Sequence, residues 1–209
     1  ITLSIASCAA PAPAPAADTA SALQAAKDDL AAGNPDAAIS KLEQAIRADP
    51  QSANLYLALG NAYVQKQDFA QAEAKFLKAL EIDPQNLDAR ANLGVAYYQQ
   101  AKLGEAEKAF RAVLAVKPDD AEWHYNLGGV MTALNRFDEA TAEFLRAKEL
   151  APDLPEPYLG LGSIYKLQGK RDEAVAALRE YLRLAPDVPA QSQWREQAKQ
   201  MLAELGAQP

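Results

Sequence analysis

The chain has 209 residues, 49% of them apolar, with a formal net charge of −7 and an isoelectric point near 4.8. This composition is ordinary for a folded protein, and its excess of carboxylates repels phosphate backbones, which excludes nucleic acid as a partner. A single cysteine, Cys8, excludes an internal disulfide, a single histidine, His124, excludes a histidine-rich metal site, and no run is long enough for a membrane-spanning helix.

Residues 1–18 read as a tail. Its first eight, ITLSIASC, are apolar and begin without methionine, so further residues are expected upstream. Ile5-Ala6-Ser7-Cys8 resembles the bacterial lipobox, in which an aliphatic residue and two small ones precede a cysteine that becomes lipidated. That resemblance makes Cys8 a lipidation candidate, with membrane affinity of about 0.8 kcal/mol per buried methylene. The alternative is an unmodified thiol. A Pro/Ala tether, AAPAPAPAA, follows over 9–17. Ile1, Leu3 and Ile5 alternate with Thr2, Ser4 and Ala6 at a strand-like period. The tether favours polyproline II, so the tail can reach on the order of 55 Å. A segment of that reach can lie in a neighbouring copy of the chain.

From residue 19 the sequence repeats every 34 residues, in copies over 19–52, 53–86, 87–120, 121–154 and 155–188. Pro50, Pro84, Pro118, Pro152 and Pro186 keep the spacing, as do Gly60, Gly94, Gly128 and Gly162. Ala38, Ala72, Ala106, Ala140 and Ala174 repeat it again. Self-similarity at such a period is the signature of a solenoid, and its lack of interruption predicts one elongated unit. In 53–86, Tyr56, Leu59 and Tyr63, then Phe69, Ala72, Phe76, Ala79 and Leu80, recur at three- and four-residue steps. This is the helical period, and a polar break over 65–68 divides it into two helices of about fourteen residues. Asp83-Pro84 ends the second. Gly60 and Ala72 are predicted where the pair crosses, with Leu59, Tyr63, Phe76 and Leu80 filling the space around them. One pair cannot bury its apolar face, so stacking supplies the core.

In the first copy, Asp18 or Ser21 is predicted to cap the first helix, and Asn34-Pro35 to start the second with a capping side chain. Residues 189–209 break the pattern. Trp194, Ala198, Met201, Leu202 and Leu205 form an apolar stripe there, which predicts a capping helix over the last repeat. Trp194 reads as packing, with an exposed end for head-to-tail stacking as the alternative.

The series Tyr56, Leu59-Gly60, Tyr63, Ala72, Phe76, Ala79, Pro84 resembles the tetratricopeptide repeat (TPR). Later copies read Leu93-Gly94, Tyr97, Ala106, Phe110, Pro118; His124, Leu127-Gly128, Met131, Ala140, Phe144, Ala147, Pro152; and Tyr158, Leu161-Gly162, Tyr165, Ala174, Leu178, Pro186. The first is degenerate, with Ala25-Ala26 for Leu-Gly but Ala38, Leu42, Ala45 and Pro50 in place. The resemblance implies an all-α, right-handed superhelical solenoid of about five TPR helix pairs plus a C-terminal capping helix.

No residues have catalytic spacing, so neither an enzyme nor a cofactor site is predicted. Cys8 has no paired base, and His124 takes the first aromatic position of its repeat. Asp28-Asp29 and Asp119-Asp120 fall near helix boundaries, where carboxylates are solvated or serve helix ends. Gly128-Gly129 lacks phosphate-loop spacing. Gly129 costs a helix interior about 1 kcal/mol and marks a place for a ligand backbone to come close.

In TPR proteins the first helix of each pair lines a concave groove. The resemblance therefore implies a peptide-binding set of Leu57, Asn61, Val64, Ala91, Val95, Tyr98, Tyr125, Gly129, Leu159 and Ser163, with Thr132 and Lys166 a turn further on. Each either meets a ligand or packs against the adjacent first helix. Some relatives grip a terminal carboxylate with lysine, arginine and asparagine. Only Asn61 matches that scheme, and Asp88, Glu122 and Glu156 stand where cations would help. An extended apolar segment fits the rest. The expected function is a non-enzymatic protein-interaction scaffold of the bacterial cell envelope or surface, resembling envelope TPR lipoproteins. Its partners are protein or peptide segments, and it meets a membrane only through a lipid on Cys8. The alternative is an extracellular filament subunit whose N-terminal tail enters its neighbour's groove.

Overall fold

The structure is a computed structural model that describes residues 16–208; Cys8 and most of the tail lie outside the described residues. The described residues form α1 (Ala16–Ala31), α2 (Pro35–Ala48), α3 (Ala53–Gln65), α4 (Phe69–Ile82), α5 (Leu87–Gln99) and α6 (Leu103–Leu114). There follow α7 (Ala121–Ala133), α8 (Phe137–Leu150), α9 (Glu156–Leu167), α10 (Arg171–Leu184) and, after a 3-10 turn at Pro189–Gln191, α11 (Ser192–Glu204). No strand occurs among the described residues. The described residues divide inside α5, after Ala89, into two compact units.

Each pair is built on a side chain laid against the backbone of its first helix. A Cβ added at Gly60 would fall 2.3 Å from the Phe76 ring, at Gly94 2.8 Å from Phe110, and at Gly128 2.6 Å from Phe144. At Gly162 it would fall 2.7 Å from Leu178. The offset is sixteen residues each time, and in the first copy the same two places hold the buried pair Ala26 and Leu42. As the sequence pattern predicts, Phe76 fills the space at the crossing, its ring seated on Gly60, and Ala72 is fully buried in α4.

The turns inside the pairs repeat as strictly as the glycines. Gly33, Gln67, Ala101, Asn135 and Gly169 all have positive φ, between 57° and 75°. Each is the left-handed residue of a Schellman turn. Around Gln67, its own N–H donates to Val64 O at 2.9 Å and the Asp68 N–H donates to Tyr63 O at 2.9 Å. The same two bonds recur at the other four turns. Asp68 then caps α4, its carboxylate accepting from the Gln71 N–H at 3.1 Å.

Two predicted caps fail. The first helix begins at Ala16 and runs through Asp18 and Ser21, so neither stands at its start. Pro35 does take the first turn of α2, but Asn34 makes no capping hydrogen bond. Of the acidic pairs, Asp120 serves a helix end by capping α7, while Asp119 pairs with Arg146 and Asp29 with Lys41, each at 2.6 Å.

The C-terminal helix closes the last pair. Ala198, Met201 and Leu202 are buried with Tyr158, Leu178 and Tyr181, and Leu205 packs against them. The Arg195 guanidinium donates to the carbonyls of Leu182 and Ala185 at the end of α10, where a cation complements the helix dipole.

Two substitutions follow for stability, both read as urea midpoints at unchanged slope. A left-handed conformation costs a residue with a Cβ about 1–2 kcal/mol, and glycine returns about 0.5–1 kcal/mol of that in chain entropy. Gln67→Gly and Ala101→Gly should therefore each stabilise the chain by about 0.5–1 kcal/mol, and Gly169→Ala should destabilise it. Gly60→Ala drives a methyl into the Phe76 ring and should cost about 1–3 kcal/mol.

Candidate functional site

The first helices of the second unit and α11 share a groove. One part is a cavity of about 180 Å³ lined by Val95, Tyr98, Gln99, Phe110, Tyr125, Asn126 and Gly129. The other, about 270 Å³, adds Thr132 and Ala133 of α7, Leu159, Gly160 and Ser163 of α9, and Trp194 and Gln197 of α11. Tyr98, Tyr125 and Gly129 border both, which joins them into one cleft.

Its floor is the Phe144 ring of α8. That ring is held between Gly128 and Gly160, whose added Cβ atoms would approach it to 2.6 and 2.7 Å. Tyr125 packs on it at 5.8 Å between centroids. A Cβ at Gly129, by contrast, meets nothing within 4 Å, so this glycine opens a notch onto the cleft. The walls are left unusually bare: Tyr98 is 39% exposed and Trp194 48% exposed.

The polar groups are few and mostly committed. The Thr132 hydroxyl donates to Gly128 O at 2.8 Å and the Ser163 hydroxyl to Leu159 O at 2.9 Å, leaving oxygen lone pairs for a ligand. Burial, and then the charge of Glu156, pushes the Tyr125 phenol above its ordinary value. It stays neutral and able to donate. His124 lies in another network: its Nδ1 faces Glu143 at 2.6 Å and its Nε2 donates to Pro118 O at 2.9 Å.

Of the ten residues expected to line a groove, the structure brings six to this one: Val95, Tyr98, Tyr125, Gly129, Leu159 and Ser163. Ala91 is 1% exposed and part of the core, so it offers no surface to a ligand. Its position on the expected face is covered by packing. Leu57, Asn61 and Val64 form one half-buried stripe on α3, in the first unit. Sequence reasoning missed Gly160, Phe144 and Gln197, and it assigned Trp194 to packing. The period does place Trp194 one turn before the buried Ala198, but the first turn of α11 lies along the cleft. An unpaired tryptophan in a terminal helix was the available signal.

Family models described as tetratricopeptide repeats match residues 23–86, 65–127, 99–158 and 155–188. Curated proteins give no match. Among solved structures, MamA is 25% identical with a TM-score of 0.68, over 76% of this chain and 92% of MamA. TTC0263 of Thermus thermophilus is 24% identical with a TM-score of 0.70, over 86% of this chain and 97% of that one. YrrB, described as a TPR protein with an unusual peptide-binding site, is 22% identical with a TM-score of 0.66, over 86% and 90%. The fold is thus an all-α TPR solenoid with a C-terminal helix, of a family of non-catalytic protein-interaction scaffolds. With repeat matches running from residue 23 to residue 188, the chain belongs to the tetratricopeptide repeat family.

Proposed function

We propose that the chain is a scaffold that holds an extended segment of another protein in the cleft between α5, α7, α9 and α11. The observation that carries this is the pairing of Tyr98 and Trp194. Both are large aromatics left exposed, and both border one apolar cleft. Exposed aromatics around a groove are the usual anchors of a protein interface. The notch at Gly129 lets a ligand backbone approach α7, and the lone pairs of Thr132 and Ser163 accept its N–H groups. The peptide-binding site of the fold-similar YrrB supports the same use. Leu57, Asn61 and Val64 extend the proposal to a contact surface on the first unit.

Export to the bacterial envelope or cell surface, with a lipid on Cys8, is proposed from the lipobox-like Ile5–Cys8 and the Pro/Ala tether. The second reading, a filament subunit whose tail fills its neighbour's groove, draws on the apolar Ala/Pro composition of that tail. The mass of the chain recovered from cells separates the two. An acylated chain starting at Cys8 supports the anchor, and an unmodified chain retaining Ile1–Ser7 contradicts it. Assembly that persists when residues 1–18 are deleted contradicts the filament.

Gly129→Ala tests the cleft directly, because its effects on fold and function have opposite sign. The added methyl meets no protein atom and should stabilise α7 by about 0.5–1 kcal/mol. It also fills the notch, and should weaken binding of peptides selected from a random library by roughly tenfold or about 1.4 kcal/mol. Titration calorimetry with thermal melts measures both, and affinity unchanged in a stabilised variant would contradict the proposal.

A further inference from the structure

One carboxylate beside the cleft has no counter-charge. Glu156 opens α9 and lies one turn before Leu159 and Gly160, on the stripe that continues to Ser163. It is half-buried, its Oε2 is fully buried with no hydrogen-bond partner, and it makes no ion pair among the described residues. The hydroxyl of Tyr181, a residue only 1% exposed, is also buried without a partner.

Glu156 acts electrostatically on two phenols. Burial first and Glu156 next raise the pKa of both Tyr125, in the cleft wall, and Tyr181 behind it. The carboxylate therefore lies within electrostatic reach of both phenols. Arg195 also reaches Tyr181, but it is committed elsewhere. Its guanidinium donates to Leu182 O and Ala185 O, and its Nε lies 3.6 Å from Asp187.

A carboxylate drawn out of water without a cation is costly, and phenol dipoles repay only part of that cost. The dipole at the start of α9 adds a little more. The surroundings suit a cation that arrives with a ligand: Tyr98, Tyr125 and Trp194 border the cleft, and aromatic faces attract ammonium and guanidinium groups. The net charge of −7 favours approach of such a partner.

Resting on the proposed cleft, we propose that it selects a polypeptide segment carrying a lysine or arginine. The cation settles against the Glu156 carboxylate, and the aliphatic stem lies along Tyr98, Tyr125 and Trp194. Residues 1–17 of this chain contain no lysine or arginine. That stretch therefore does not supply the cation, and the occupant proposed is a basic segment of another protein.

The test is selection of a random twelve-residue peptide library on the full chain and on its isosteric Glu156→Gln variant, with folding of each checked by circular dichroism. Peptides from the unaltered chain should be enriched in lysine or arginine beside apolar residues, and Glu156→Gln should abolish that enrichment while still selecting apolar peptides. In fluorescence anisotropy, exchanging the selected basic residue for norleucine should weaken binding roughly tenfold or more on the unaltered chain and less than about twofold on Glu156→Gln. Apolar peptides without basic enrichment, or enrichment that survives Glu156→Gln, would overturn the inference and leave the cleft standing. No selected peptide, or binding indifferent to Gly129→Ala, would overturn the cleft and the inference with it. Spermidine binding as tightly as the peptides would give the site to a free polycation and also overturn it.

Discussion

The contact between a bare helix backbone and an aromatic ring sets the geometry of the pairs. Gly60, Gly94 and Gly128 carry no Cβ because the rings of Phe76, Phe110 and Phe144 occupy that space. Where the ring becomes Leu178, the glycine stays, since the Leu178 side chain approaches Gly162 as closely. The contact brings the two helices of a pair together on one side. The opposite side of each first helix is left to meet its neighbours or a ligand. In the second unit that free side is the cleft, and Phe144, clamped between Gly128 and Gly160, is both a piece of core and its floor. The core and the cleft thus meet at one ring.

The helices and their pairing were legible because their causes repeat. Proline, glycine and alanine at one spacing give the period, and apolar steps of three and four give the helices. The left-handed turns repeat just as strictly, yet their residues are Gly33, Gln67, Ala101, Asn135 and Gly169. A conformation that glycine prefers but does not monopolise leaves little trace in composition. The caps at Asp18, Ser21 and Asn34 misled for a related reason. A side chain able to cap is common: Asp18 and Ser21 fall inside a helix that begins earlier, while Asn34 stands at the start of α2 yet makes no capping bond.

The cleft was legible only in outline. The TPR resemblance implied which helix faces it, and thus Tyr98, Tyr125 and Leu159. Phase alone could not tell Ala91, sealed in the core, from Val95, which borders the cleft. Nor could it place Trp194 and Gln197, which come from a helix outside the repeat. From sequence, Glu156 falls at a groove position and reads as a mismatch to carboxylate capture. Its missing counter-charge appears once Arg195 is seen bonded to the end of α10.

The central claim is that the side chains between α5, α7, α9 and α11 enclose a bound polypeptide. The emission of Trp194 measures this most directly, in a Trp123→Phe chain where it is the sole tryptophan. Adding a selected peptide should shift that emission to shorter wavelength and shield the indole from iodide quenching, since Trp194 passes from half-exposed to covered. Saturating binding that leaves both the emission and the quenching of Trp194 unchanged would show that the peptide docks elsewhere and would contradict the account.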